Sequence, residues 1–211
     1  MAYDLEEQEK LDALRAWWER YGTLCTVLVF VVVAGVLGWR GWQWYEGHRS
    51  NQAMGYFEAL QSAANQKGDD AAARIKAASS TLRDDFAKSG YTSRGLLVAA
   101  HALHDRGDLA GAREQLEWLI ANGSDASLVA LARLRLAGVL LDQKELDQAL
   151  AQLKDPPASF AGLYADRRGD ILLAQGKRDE AKAAWEDAVK SLGNEPAAQI
   201  VQLKIDALGG A

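Results

Sequence analysis

The pattern of apolar and polar residues divides this chain into one uninterrupted apolar run and a longer part with helical periodicity. The apolar run covers residues 21–39, YGTLCTVLVFVVVAGVLGW, and lies between Arg20 and Arg40. At about 1.5 Å per residue it spans roughly 28 Å, close to the ~30 Å hydrocarbon thickness of a bilayer. Backbone groups in lipid must bond within their own segment. The run therefore predicts a transmembrane helix.

Aromatic residues lie at both ends of this run, where amphipathic rings prefer the headgroup layers. We predict a transmembrane helix with aromatic ends over residues 21–45, and membrane-anchoring side chains at Trp17, Trp18, Trp39, Trp42 and Trp44. A cleaved signal peptide would have a shorter apolar core and small residues after it, whereas GWRGWQWYEG follows here. A buried core helix is disfavoured because the rest of the chain is too polar to surround it.

The basic residues near the run indicate its orientation. Lys10, Arg15 and Arg20 precede it, and Arg40 and Arg49 follow it closely. Three against two favours a cytoplasmic N-terminus, with residues 46–211 on the outer side. The single cysteine lies within the run, so cysteine usage does not identify the redox compartment.

Residues 1–20 form a predicted cytoplasmic amphipathic segment. Leu11, Leu14, Trp18 and Tyr21 fall on one helical face, and most acidic residues come early, where the helix dipole favours them. Two interpretations stay open. The segment is either a solvated lead-in to the anchor or a docking face for a cytosolic or membrane partner.

The remaining residues, 46–211, predict an all-α domain with three related helical hairpins. The hairpins begin near Ser93, Ala130 and Gly162, and their turn positions are 37 and then 32 residues apart. A further helical pair is predicted over 52–66 and 69–88, and a last helix over 196–208. Corresponding positions of the three hairpins are the turns Gly107, Lys144 and Gly176, the small residues Ala112, Ala149 and Ala181, and the large residues Leu116, Leu153 and Trp185.

These hairpins resemble the tetratricopeptide repeat. Its small first-helix residue is matched by Ala100, Ala137 and Gly169, and the third hairpin, RGDILLAQGKRDEAKAAWEDAV, is the closest match. Lys144 replaces the turn glycine, Arg168 occupies an apolar position, and the closing proline is missing. The fold class that follows is a single N-terminal transmembrane helix followed by a tetratricopeptide-like solenoid.

In such a solenoid the first helix of each hairpin lines one concave face. That face mixes apolar and charged groups, which suits extended or helical peptide segments. At least half of its leucines are expected to belong to the core between repeats. The candidate groove residues are Arg94, Leu97, His101, His104, Leu131, Leu134, Leu141, Leu163, Asp166 and Asp170.

The chain shows little that could carry out a reaction. A net charge of −5 without a basic stripe argues against nucleic-acid binding. No phosphate loop, nucleophile motif or Cys/His framework is present. His101 and His104 with Asp105 could hold a metal geometrically, yet no second ligand cluster accompanies them, so polar groove residues are the better interpretation. We expect no enzyme, no cofactor and no metal.

The order of these segments resembles the YfgM family of Gram-negative bacteria. The residues that carry the resemblance are Trp17-Trp18, then Gly38-Trp39-Arg40, and the Gln-Ala segment at 52–53. The resemblance implies an ancillary subunit of the SecYEG translocon in the inner membrane, with its N-terminus in the cytoplasm and its hairpins in the periplasm. It also implies association with the membrane-anchored periplasmic chaperone PpiD.

We therefore expect a membrane-anchored adaptor that binds translocating proteins and helps to transfer them to periplasmic chaperones. Tethering a groove beside the emerging chain raises the effective concentration, so weak contacts suffice. The alternative is a scaffold in another cell-envelope assembly, such as cell-wall or division machinery. An enzyme would instead require a closed polar pocket with a metal at His101 and His104.

Overall fold

A computed structural model describes the backbone of residues 2–209 and the side chains of residues 9–68 and 70–209. Every regular element of the described backbone is helical, which confirms the predicted all-α class. The helices are α1 (Ala2–Asn65), α2 (Asp69–Asp85), α3 (Gly90–Asp105), α4 (Leu109–Asn122), α5 (Ala126–Asp142), α6 (Leu146–Gln152), α7 (Ala161–Ala174), α8 (Arg178–Leu192) and α9 (Pro196–Gly209), with a 3₁₀ turn at Ala158–Phe160.

The chain separates into two compact units, Met1–Arg49 and Ser50–Ala211. In the first unit, α1 is long and apolar enough to cross a membrane, by length and composition, and its apolar side chains are exposed. Inside it, the hydroxyl of Thr26 donates to the carbonyl of Gly22 at 2.7 Å, so this polar side chain is satisfied within the apolar run.

The second unit is built from helical hairpins, α3 on α4, α5 on α6 and α7 on α8. Its main core cluster extends from the last turns of α1 to α7, and a second cluster joins α7, α8 and α9. Arg106, at the end of α3, donates to the carbonyls of Ala64 and Gln66 at 2.9 and 2.7 Å. These bonds cap the C-terminal end of α1, whose last carbonyls lack helical partners.

The small residues predicted at the hairpin contacts are buried as expected. Ala112, Ala149 and Ala181 are all fully buried. In the third hairpin the small residue of the first helix is Gly169, and the large Trp185 of α8 lies directly against it. Small residues thus let each pair of helices approach closely.

The three hairpin turns share one backbone conformation. Gly107 and Gly176 have φ values of 78° and 80°, and Lys144 adopts a φ of 65° at the corresponding position. The left-handed region favours glycine because other residues place Cβ near the carbonyl oxygen. Lys144 therefore carries strain that the other two turns avoid.

The second hairpin has a shorter second helix than the other two. α6 ends at Gln152, and Asp155 has a positive φ of 51° before Pro156 and Pro157. Proline cannot continue a helix, and it restricts the residue before it. The 3₁₀ turn at Ala158–Phe160 then leads directly into α7.

Candidate protein-binding face

The first helices of the hairpins lie side by side in the second unit. α5 contacts α3 on one side and α7 on the other. We call the surface formed by the candidate groove residues of these helices the first-helix face. It contains Arg94, His101, His104, Leu131, Leu134, Leu141, Leu163, Asp166 and Asp170.

Residues on this face differ in their exposure. Arg94 and His101 are exposed, and the others on the face are half-buried. Leu131, Leu134 and Leu141 pack against the main core cluster with part of each side chain, and Leu163 packs against the second cluster. Each of these leucines thus holds neighbouring helices together while leaving apolar area at the surface.

Leu97 belongs to the core and not to the surface. Its side chain is only 6% exposed, and its carbonyl accepts a hydrogen bond from the Arg135 guanidinium at 3.0 Å. Leu97 is a member of the main core cluster. Leu97 therefore cannot contact a ligand on the first-helix face.

Polar contacts tie adjacent first helices together at the His104 end. The Nε2 atom of His104 lies 2.7 Å from an Asp142 carboxylate oxygen, and both side chains are partly exposed. His101 lies 3.4 Å from Asp105 on its own helix. The same Asp105 oxygen lies 3.7 Å from the Nδ1 atom of His104, so Asp105 lies near both histidines and Asp142 contacts His104. Among the residues with described side chains, no three His, Cys, Asp or Glu residues lie together in a way that could hold a metal ion.

The acidic residues of α7 contact α9. The Nζ atom of Lys204 donates to Asp166 at 2.6 Å and to Asp170 at 2.7 Å. The same Nζ lies 5.7 Å from the centre of the Trp185 ring, within range of a cation–π contact. Arg167 lies 3.6 Å from Asp170 as well, so two cations of this chain compensate the two carboxylates. On the first-helix face, Arg94 is an exposed cation that forms no ion pair with a described side chain.

Several residues that shape this face were not identified from the sequence. Asp142 lies 37 residues after Asp105, the same spacing as the first two hairpin turns, so the repeat register contained a signal for it. Lys204 and Arg135 had no such signal. Arg135 is 38 residues from Leu97, and Lys204 is 38 residues from Asp166 and 34 from Asp170, and only the packing of neighbouring helices brings them into contact.

The aromatic residues predicted to anchor the chain are exposed in the first unit. Trp17 lies 5.8 Å from Tyr21 between ring centres, and Trp42 lies 6.3 Å from Tyr45. All five predicted anchoring residues are about half exposed or more, namely Trp17, Trp18, Trp39, Trp42 and Trp44. The exposed rings on both sides of the apolar run fit a helix that passes once through a membrane.

Comparison with known proteins agrees with this architecture. The model of the tetratricopeptide repeat-like domain family matches residues 15–210. A protein of Neisseria gonorrhoeae (strain ATCC 700825 / FA 1090) named "Ancillary SecYEG translocon subunit" is 30% identical, with 99% of this chain and 100% of that protein covered. A protein of the same name from Haemophilus influenzae (strain ATCC 51907 / DSM 11121 / KW20 / Rd) is 29% identical, with 99% and 100% covered.

A third relative with this name, from Escherichia coli (strain K12), is 30% identical over 96% of each chain. The names and the repeat-like domain describe an adaptor kind of family and not an enzyme family. With full-length similarity, a matching domain and one apolar N-terminal helix, the chain belongs to the tetratricopeptide repeat-like family of ancillary SecYEG translocon subunits.

Proposed function

We propose that this protein is a membrane-anchored adaptor at the Sec translocon, and that its first-helix face binds proteins and helps to pass translocated chains to periplasmic chaperones. The observation that carries the proposal is the full-length similarity to proteins named as SecYEG subunits, combined with one apolar N-terminal helix. The proposed topology is single-pass in the inner membrane, with the N-terminus in the cytoplasm and the hairpins in the periplasm.

The geometry of the first-helix face supports binding of protein segments. The half-buried leucines of α5 offer apolar contact area, and Arg94 and His101 add exposed polar groups on the neighbouring helix. An extended or helical segment could lay apolar side chains on the leucines while its polar groups meet the edge of α3. Because Lys204 neutralises Asp166 and Asp170, we expect the contact region to centre on α3 and α5.

Tethering explains how such a shallow face could serve the proposed function. A chain emerging beside an anchored binding face is present at a high effective concentration, on the order of millimolar for short flexible tethers. Weak contacts then suffice for capture, and weak contacts also permit release to a chaperone. The proposed chaperone partner is PpiD, itself anchored in the membrane.

Site-specific photocrosslinking in intact membranes tests this proposal. Probes replace Leu134 and His104 on the first-helix face and Val32 in α1, and a control probe replaces Lys182, which is exposed on α8. We expect the first-helix probes to crosslink to many translocating chains, the Val32 probe to crosslink to SecYEG or PpiD, and the Lys182 probe to give far fewer products. One fixed partner at the first-helix face and no translocon contact would instead indicate a scaffold in another envelope assembly.

The topology is tested separately by labelling. Single cysteines introduced at Lys182 and Asp12, in a Cys25→Ser background, are exposed to a membrane-impermeant maleimide in cells with a permeabilised outer membrane. Labelling of the Lys182→Cys variant and protection of the Asp12→Cys variant is the expected pattern. The reverse pattern would place the hairpins in the cytoplasm.

A further inference from the structure

α1 carries an exposed apolar stripe ahead of the membrane run. Leu11, Leu14, Trp18 and Tyr21 are 64%, 63%, 58% and 44% exposed. Their spacing of three, four and three residues places them along one side of the helix, as at the seam of a helix pair. We call these four residues the N-terminal stripe.

Basic residues flank the N-terminal stripe on both sides. At about 100° per residue, Lys10 and Arg15 lie on either side of its centre and Glu9 lies on the opposite face, while Asp12 and Glu19 lie beside Arg15, further from the centre of the stripe. Lys10 and Arg15 are exposed and form no ion pair with any described side chain. In a parallel helix pair these two residues occupy the positions beside the seam that contact the partner.

A lipid surface does not fit as the occupant. α1 is one continuous helix from Ala2 to Asn65, so the segment that carries the stripe does not turn to lie along the membrane before the apolar run. At about 1.5 Å per residue, Leu14 lies roughly 10 Å before Tyr21, and Leu11 roughly 15 Å before it. The headgroup layer is only about 5–8 Å thick on each side of the hydrocarbon. The N-terminal half of the stripe, Leu11 and Leu14, therefore lies beyond the headgroup layer.

A second copy of the chain does not fit either. Two copies with one membrane span each run parallel, and the seam positions then place Lys10 of one copy opposite Arg15 of the other, five residues further along. Two such like-charged pairs form at once, because the pair is symmetric. Like charges at these positions oppose association.

We propose that the N-terminal stripe docks a helix of a different protein, whose own apolar stripe is flanked by acidic residues. Charge complementarity to Lys10 and Arg15 selects the partner, and the four stripe residues supply the apolar contact. The proposal rests on α1 spanning the membrane and is independent of what the hairpins bind.

Two synthetic helical peptides test the charge preference. They share one leucine stripe at three- and four-residue spacing, and they differ only in glutamate or lysine at the flanking positions. Fluorescence titration against the full chain in neutral-lipid nanodiscs should give at least tenfold tighter binding of the glutamate peptide at low salt. The Lys10→Glu/Arg15→Glu variant should reverse the preference, and Leu14→Ala should weaken both peptides. Equal binding of both peptides would overturn the proposal.

Disulfide formation at Cys25 tests the exclusion of a second copy. Cys25 lies four residues after Tyr21, on the same side of α1, and it is the only cysteine. With oxidant, the wild-type chain and the Lys10→Glu/Arg15→Glu variant should form little covalent dimer. Lys10→Glu alone creates two attractive pairs between copies and should raise dimer yield severalfold, whereas Arg20→Glu, the same charge change on the opposite face, should not. Abundant wild-type dimer would make a second copy the occupant.

A depth measurement tests the exclusion of lipid. A fluorophore is attached to Leu14→Cys or, as the membrane control, to Val32→Cys, each in a Cys25→Ser background. Lipids with quenching groups in the acyl chains or headgroups should quench the fluorophore at position 32 and leave that at position 14 unquenched. Equal quenching at both positions would show that the membrane covers the stripe and would overturn the proposal.

Discussion

The Trp185 ring of α8 packs directly against Gly169 of α7 in the third hairpin and fills the space that a side chain at position 169 would occupy. A Cβ atom added at Gly169 would lie 2.8 Å from Cε2 of the Trp185 indole, and the indole Nε1 donates to the Asp166 carbonyl at 3.1 Å. The Trp185 ring is therefore held in place both by its contact with Gly169 and by a hydrogen bond, so moving it aside would cost free energy. This contact joins the two helices of the hairpin and also positions the ring beside Lys204.

We predict that Gly169→Ala lowers the free energy of unfolding by about 2 kcal/mol, since overpacking in a filled core typically costs about 1–3 kcal/mol. Gly138→Ala is the matched control. Its Cβ would lie 3.6 Å from the nearest Arg167 atom, an ordinary contact, and alanine is favoured over glycine inside a helix by roughly 0.5–1 kcal/mol. Thermal unfolding of the full chain in detergent should give opposite signs for the two variants. A stabilised Gly169→Ala would show that the ring relaxes.

The strained turn gives a prediction in the stabilising direction. Lys144 has a φ of 65° and lies at the position held by Gly107 and Gly176 in the other hairpins. Lys144→Gly relieves a left-handed backbone strain of roughly 1–2 kcal/mol, offset in part by the greater entropy of glycine in the unfolded chain, so a net gain of about 0.5–1 kcal/mol is expected.

Lys182→Gly provides the control for this turn. Lys182 lies within α8, where glycine should destabilise by about 0.5–1 kcal/mol. Chemical denaturation of both variants, monitored by far-UV circular dichroism, gives the comparison. Loss of stability in both would contradict the assignment of strain to Lys144.

Features of this fold that depend on local sequence pattern could be predicted, and features that depend on tertiary packing could not. Buried Ala112, Ala149 and Ala181 and the turn at Lys144 follow from the repeat register, because each hairpin meets the same packing requirement. The repeat register does not predict that α1 is continuous. Near residue 45 the sequence changes from uniformly apolar to periodically apolar, which indicates a change from one environment to another. The helix nevertheless continues through this point because no proline or capping residue interrupts its backbone hydrogen bonds.

The candidate site shows the same division. The positions on the first helices follow from the repeat register. The exposure of each side chain depends instead on which side chains of the neighbouring helix pack against it. Leu97 and Leu134 occupy equivalent positions, 37 residues apart, yet Leu97 is buried and Leu134 is half-buried. The contact of Lys204 with Asp166 and Asp170 depends on where α9 packs on α8, and no local sequence pattern determines that position.

We predict that Lys204 stabilises the packing of α9 against the rest of the second unit. Its ammonium group contacts Asp166, Asp170 and the Trp185 ring, and all three partners are at least half-buried. In Lys204→Ala, Asp166 loses its counter-charge and Asp170 keeps only Arg167, at 3.6 Å. We therefore expect a loss of about 1–3 kcal/mol, above the ~0–1 kcal/mol of an exposed pair. Hydrogen exchange should accelerate most strongly over Pro196–Gly209.

Lys190→Ala is the matched control for Lys204. Lys190 pairs with Asp187 at 3.4 Å, and both side chains are more than two-thirds exposed. Its removal should leave both stability and the exchange of α9 unchanged. Equal effects of the two substitutions would mean that apolar contacts of Ala198 and Val201 alone hold α9 in place.

The cap of α4 gives a prediction for pH dependence. A hydrogen bond from Lys76 and one from the backbone N–H of Gly111 lower the pKa of the Asp108 carboxyl from its ordinary value. Because the folded-state pKa lies below the unfolded one, this carboxylate contributes stability above the unfolded pKa, near 3.9. That contribution is lost as the pH falls through the folded-state value.

Asp108→Asn keeps an oxygen that can accept from Gly111, and it removes the charge that Lys76 contacts. We therefore expect the variant to be less stable than the wild-type chain at pH 7 by up to about 1 kcal/mol, the upper end for an ion pair with an exposed partner such as Lys76. The difference should shrink as the pH falls below about 4, because the carboxyl of the unfolded wild-type chain is protonated there first and the folded carboxyl, with its lower pKa, follows at still lower pH. Urea unfolding at a series of pH values from 7 to 3 measures it. A difference that stays constant over this range would show that the Asp108 charge contributes nothing and that only the shape of the cap matters.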